Sequence, residues 1–192
     1  MNVSHDPDAE ARKALRLIGP DPANWVPDRS GIDHNVAIVG GGQTGCALAF
    51  ALRRAGIGKV TVLEAAPNEQ RAGVWLNAAR MNMLRTPKTL PGPELGIPAL
   101  SFQGWYEARH GQDAYDAIER IQRTDWADYL SWYKSFLGIT PRYSIHGTGS
   151  SRRAIISACI SRRRTVRRQK RRGRSSSPPG FLAAATGSFR TW

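Results

Sequence analysis

The chain has 192 residues, of which 41% are hydrophobic, and a formal net charge of +13; this length suits one packed domain, or a domain with a long tail. Its two cysteines are far apart and lack the spacing of a metal site or a dithiol motif, so we expect no bound metal. Neither a secretory leader nor an apolar stretch of about 18 residues is visible, which predicts a cytoplasmic protein without a membrane partner.

The first half of the chain predicts a β–α–β unit. Apolar periodicity indicates a helix over residues 8–18, followed by an extended connector rich in proline and glycine over 19–31. A four-residue apolar run at 36–39, a helical pattern over 44–55 and a second strand over 59–64 come next. A connecting helix of this length does not fit a hairpin, so the two strands are expected to be parallel.

The region after the second strand is less regular. Residues 67–98 hold many turn residues and predict a long loop region. Helices are predicted over 113–122 and 125–137, with Thr124 as the N-cap of the second. The apolar face of that second helix is predicted to be core; it consists of Trp126, Tyr129, Leu130, Tyr133 and Leu137.

Three glycines stand where the first strand meets the first long helix, in the spacing G-x-G-x-x-G. Gly40 is expected to make the tight turn, Gly42 to let the backbone approach a pyrophosphate, and Gly45 to let the helix pack closely on the strand. Backbone N–H groups at the helix start, including those of Gln43 and Thr44, then attract the anion together with the helix dipole. The pattern predicts a binding site for a dinucleotide.

Glu64 ends the second strand, where a carboxylate accepts hydrogen bonds from ribose hydroxyls. An acid at this position favours a free 2′-hydroxyl, so the site is expected to take FAD or NAD and not NADP. Gly41 occupies a position of the motif that carries no constraint. Cys46 is expected to be a small buried helix residue rather than a redox thiol.

Residues 64–87 resemble the flavin-dependent monooxygenases and related two-dinucleotide-domain oxidoreductases. In that family the acid is followed by a G-G-x-W element beside the flavin, and this chain has Ala72-Gly73-Val74-Trp75 there. The resemblance covers about residues 34–137. It implies that Gly73 and Trp75 lie near the flavin, with Arg85 in a loop along its edge. It also implies FAD as cofactor, NAD(P)H as co-substrate, activation of O₂ and a small-molecule substrate.

The sequence therefore predicts an α/β chain with an incomplete Rossmann-type FAD/NAD(P)-binding domain. Residues 1–33 are assigned to an N-terminal helix and connector, 34–140 to the FAD-binding domain and 141–192 to a disordered basic tail. No second dinucleotide fingerprint follows residue 140, which predicts a truncated flavin-dependent oxidoreductase, monooxygenase-like in type. No catalytic residue can be named. The alternative enzyme is an NAD-dependent dehydrogenase that uses the same fingerprint.

The whole basic excess lies in the tail. Residues 1–140 hold 15 basic and 15 acidic side chains, whereas residues 141–192 hold 13 basic and no acidic ones. Three interpretations stay open: an arm that binds nucleic acid through its arginines, a solvated tail without a function, or the product of a shifted reading frame. Under the first interpretation the chain would be a nucleic-acid-binding protein, which is the alternative to an enzyme.

Overall fold

The computed structural model describes residues 6–145. The predicted basic tail beyond residue 145 lies outside the described residues, and so do the three interpretations of it. Five helices and two strands of the described part are, in chain order, α1 (Pro7–Leu17), β1 (Val36–Val39), α2 (Gln43–Arg54), β2 (Val60–Leu63), α3 (Phe102–His110), α4 (Gln112–Ala117) and α5 (Arg123–Phe136). Single 3₁₀ turns lie at Glu69–Arg71 and Pro98–Leu100.

The β–α–β unit is confirmed. Strands β1 and β2 pair in parallel, in a register that runs from Val36 opposite Val60 to Val39 opposite Leu63. Helix α2 crosses between them and packs on one face of the pair, where Ile38, Ala49 and Val62 form a buried cluster. The local sequence explains each of these elements. The two short apolar runs are typical of buried strands, and glycines mark where the helix between them begins and ends.

A further segment runs beside β2, on the edge away from β1. The Arg142 N–H donates to the Val62 carbonyl at 2.8 Å, and the Glu64 N–H donates to the Arg142 carbonyl at 2.8 Å. Leu63 and Arg142 therefore form a parallel bridge. The folded unit reaches at least Ile145, so the structure places residues 141–145 with the domain and not with the tail.

The larger of the two buried clusters is rich in aromatic side chains and joins α3 and α5 to α1 and α2. The predicted apolar face of α5 is buried throughout: Trp126, Tyr129, Leu130, Tyr133 and Leu137 are each at most 9% exposed. Two buried hydroxyls bond α5 to the loop before α3, since Tyr129 donates to the Leu100 carbonyl at 2.8 Å and Tyr133 to the Pro93 carbonyl at 2.6 Å. Burial raises the pKa of both tyrosines above the ordinary value, so both remain hydrogen-bond donors.

Two local predictions were wrong, and one helix was not predicted. The helix predicted over 113–122 ends at Ala117, because residues 121–123 leave it to hydrogen-bond with residues 82–84 of the long loop. The N-cap of α5 is Gln122 and not Thr124, which lies inside the helix. Helix α3 was missed, although Ser101 caps it by accepting the Gly104 N–H at 3.0 Å.

Replacing Tyr129 or Tyr133 by Phe should lower the free energy of unfolding by about 1–2 kcal/mol, because a buried carbonyl then loses its donor. Urea denaturation measures this loss. Tyr115→Phe is the matched control, since the buried Tyr115 hydroxyl reaches the Lys88 carbonyl only at 3.4 Å. Equal losses for all three variants would contradict the assignment of α5 as hydrogen-bonded to the loop.

Candidate functional site

The glycine turn (residues 40–45) joins β1 to α2 and depends on two of its glycines for its shape. Gly40 has φ of +101°, a conformation that side chains rarely adopt, and its N–H donates to the Leu63 carbonyl at 2.7 Å. A Cβ on Gly45 would overlap the Gly40 carbonyl oxygen and lie 3.3 Å from Cγ2 of Ile38. The start of α2 therefore presses directly on the end of β1.

The N-terminus of α2 is open. Gly42 is the N-cap residue, with extended backbone, and no side chain caps the helix. A Cβ on Gly42 would meet nothing within 4 Å, and the first turn carries no acidic residue. The first N–H groups of a helix have no partner inside it, and its dipole makes this end positive. Around Gln43 and Thr44 the chain thus offers donors, positive potential and room for an anion.

Glu64 follows β2 and faces this opening. Its Oε2 accepts the Gly41 N–H at 2.7 Å, and its Oε1 accepts the Ala66 N–H at 3.0 Å. The carboxylate thereby ties the glycine turn to the end of β2. Each carboxylate oxygen accepts more than one hydrogen bond, so Glu64 can also accept from hydroxyl groups of a ligand.

The structure corrects the expectation that Gly41 is unconstrained. A Cβ on Gly41 would lie 3.1 Å from Cγ of Pro141 and 3.2 Å from Oε2 of Glu64. Gly41 is buried between the two, so the middle glycine lets Glu64 and the segment after α5 close on the turn. The fingerprint spacing carries no signal of this contact, because Pro141 is far away along the chain.

Cys46 lies beneath the turn and is 1% exposed. Its Sγ donates to the Gly41 carbonyl at 3.4 Å. Burial raises the pKa of the Cys46 thiol to about 11, so the thiol stays protonated at neutral pH. The buried, protonated thiol agrees with the expectation that Cys46 is a small buried helix residue. A reactive cysteine needs a thiolate and access to solvent.

The residues predicted to lie near a flavin occupy the long loop. Gly73 has φ of +80° and is exposed. Trp75 is half-buried against the aromatic core, with its ring centroid 6.4 Å from that of Trp126. Arg85 is exposed, and its carbonyl accepts a hydrogen bond from Arg120. Within residues 6–145, no recorded hydrogen bond or ring contact joins these three to the glycine turn. Their place beside a flavin stays a prediction.

The residues of this site lie within the part of the chain that matches known proteins. Residues 37–141 match the family model described as FAD-NAD(P)-binding, which spans more than half of the chain. The chain belongs to the FAD-NAD(P)-binding family. The match begins in β1 and ends at Pro141, so it contains the glycine turn, Glu64 and the residue that packs on Gly41.

One curated relative of this FAD-NAD(P)-binding chain is a FAD-dependent urate hydroxylase from Xanthomonas campestris pv. campestris. The two are 43% identical over 121 residues, which make up 62% of this chain and 25% of the relative. The chain thus spans about a quarter of the length of the protein it matches. No solved structure matches it.

The described residues offer neither a membrane span nor a metal cluster. Within residues 6–145, no helix has the length and apolar character needed to cross a bilayer. The same part of the chain holds no group of three or more His, Cys, Asp and Glu side chains placed to bind a metal ion.

Gly45→Ala should lower the free energy of unfolding by at least about 2 kcal/mol, because its methyl group has to displace backbone. Gly42→Ala is the matched control within the same turn, since its methyl group enters open space at an ordinary φ. Urea denaturation of both variants makes the comparison. A Gly45→Ala variant as stable as Gly42→Ala would show that α2 does not press on β1 as described.

Proposed function

We propose that the glycine turn and Glu64 bind the ADP part of FAD, in a Rossmann-type arrangement. The chain is then the FAD-binding portion of a flavin-dependent oxidoreductase of the monooxygenase type. One observation carries this proposal: the open space at Gly42 lies directly before an uncapped helix N-terminus, with a carboxylate beside it. The room, the charge and the donors fit a pyrophosphate followed by a ribose.

Each part of the ADP group has its own partner in this arrangement. The pyrophosphate accepts hydrogen bonds from the N–H groups at the start of α2, chiefly those of Gln43 and Thr44. The ribose hydroxyls donate to Glu64, which its bonds to Gly41 and Ala66 already hold in place. Because a 2′-phosphate would meet this carboxylate, the site favours FAD or NAD over NADP.

FAD is preferred to NAD because the curated relative is FAD-dependent, whereas the family description names both FAD and NAD(P). When bound, FAD accepts electrons from NAD(P)H and supplies the oxygen-activating chemistry. The glycine turn and Glu64 bind and orient its ADP end. Trp75, Gly73 and Arg85 are assigned to the flavin side. The small-molecule substrate, turnover and a cytoplasmic location remain proposals.

Gly42→Asp provides a test in which stability and binding change in opposite directions. Aspartate is a favoured N-cap residue and interacts well with the helix dipole. The free energy of unfolding of the ligand-free variant should therefore be about 0.5–1 kcal/mol higher than that of the wild type. Its carboxylate fills and repels the phosphate space, so FAD binding should be lost. Thermal unfolding with and without FAD measures both effects.

For the wild type, FAD at about 100 times its Kd should raise Tm by about 5 °C or more. NAD at the same concentration should raise Tm less. Gly42→Asn serves as the matched control, because it caps the helix and has the same size without the charge. It should retain more FAD binding than Gly42→Asp. Wild-type protein that FAD does not stabilise would overturn the proposal, and stabilisation by NAD alone would favour the NAD-dependent dehydrogenase.

A further inference from the structure

The segment after α5 returns to the glycine turn and brings a tyrosine to its side. Pro141 packs on Gly41, and Arg142 pairs with Leu63 in parallel. Tyr143 follows Arg142 directly, just past this bridge. The Glu64 N–H donates to the Arg142 carbonyl at 2.8 Å, and the Glu64 carbonyl accepts the Ile145 N–H at 3.0 Å. The two backbone hydrogen bonds of Glu64 therefore go to the residues on either side of the pair Tyr143 and Ser144.

Arg142 pairs with Leu63 and shares its face of the sheet, and successive residues of an extended segment point to opposite faces. Val62 packs towards α2, and Glu64, two residues later, shares that face and reaches the glycine turn. Tyr143, the residue after Arg142, therefore lies on the α2 face, which it shares with Glu64. The tyrosine is half-buried, so part of its ring is open to solvent.

The charged surroundings of Tyr143 agree with this placement. Burial raises the pKa of the Tyr143 hydroxyl, and Glu69, Cys46 and Glu64 raise it further. Glu69 is itself paired with Lys134 of α5, at 3.2 Å. The hydroxyl is therefore neutral at physiological pH and can donate a hydrogen bond.

The backbone after Tyr143 is held in an unusual conformation. Ser144 has φ of +60°, which costs energy for a residue other than glycine. Its N–H donates to the Ala66 carbonyl at 2.8 Å and its hydroxyl to the Pro67 carbonyl at 3.4 Å. These bonds end the pairing with β2 and restrict the direction in which the preceding tyrosine points.

We propose that Tyr143 contacts the adenosine of the bound cofactor: its ring packs against the adenine while Glu64 takes the ribose. This rests on the proposed function, because it requires the ADP group to occupy the glycine turn. The chemistry is suitable, since every base has a π-face and stacks on aromatic side chains. Tyr143 then determines affinity for the base, and the glycine turn determines affinity for the phosphates.

The test compares three probes on the full chain: ADP, inorganic pyrophosphate and the fluorescent analogue 1,N⁶-etheno-ADP. Tyr143→Phe keeps the ring and should bind ADP within about threefold of the wild type. Tyr143→Leu keeps the bulk without the ring and should bind ADP about tenfold more weakly. Its affinity for pyrophosphate and its Tm should stay unchanged. Fluorescence of the bound analogue should be quenched in the wild type and in Tyr143→Phe, and recovered in Tyr143→Leu.

Gly42→Asp separates failure of this inference from failure of the proposed function. If the wild type binds ADP no better than Gly42→Asp does, the glycine turn is not the site, and both proposals fall. If Gly42→Asp loses ADP but Tyr143→Leu binds it like the wild type, only the role of Tyr143 is overturned. Equal losses of ADP and pyrophosphate in Tyr143→Leu also overturn it, since the residue then acts through the shape of the turn.

Discussion

The close approach of α2 to β1 is the constraint on which the site depends. With no side chain at Gly45, the helix starts against the Gly40 carbonyl, and its unpaired N–H groups come to the carboxyl end of the parallel strands. Glu64 ends the neighbouring strand at the same edge, so donors and a carboxylate meet there. An anion and a sugar hydroxyl can then bind side by side, which is the chemistry of an ADP group.

The aromatic half of the chain supports this site from a distance. Helix α5 is fixed by buried rings and by the hydroxyls of Tyr129 and Tyr133, and the chain that leaves it reaches the glycine turn within a few residues. Pro141 covers Gly41 on one side, while Glu64 holds it on the other. The turn is thereby shaped before a ligand arrives, which lowers the entropic cost of binding.

The sequence predicts the parts of the molecule whose causes are local. The β–α–β unit, the separate tasks of Gly40 and Gly45 and the buried face of α5 all follow from spacing over a few residues. The end of α4 and the burial of Gly41 depend on contacts between distant segments, so no window of sequence contains them. The same holds for Tyr143, which only the pairing of 141–145 with β2 brings to Glu64.

The central claim is that N–H groups at the start of α2 hold the pyrophosphate. Two-dimensional ¹H–¹⁵N spectra of the full chain, recorded as ADP is added, test it most directly. The account predicts that the amide signals of Gly42, Gln43 and Thr44 shift most, with smaller shifts at Gly41 and Ala66, whose amides donate to Glu64. Unchanged signals at residues 42–44, with the large shifts elsewhere in the chain, would contradict it.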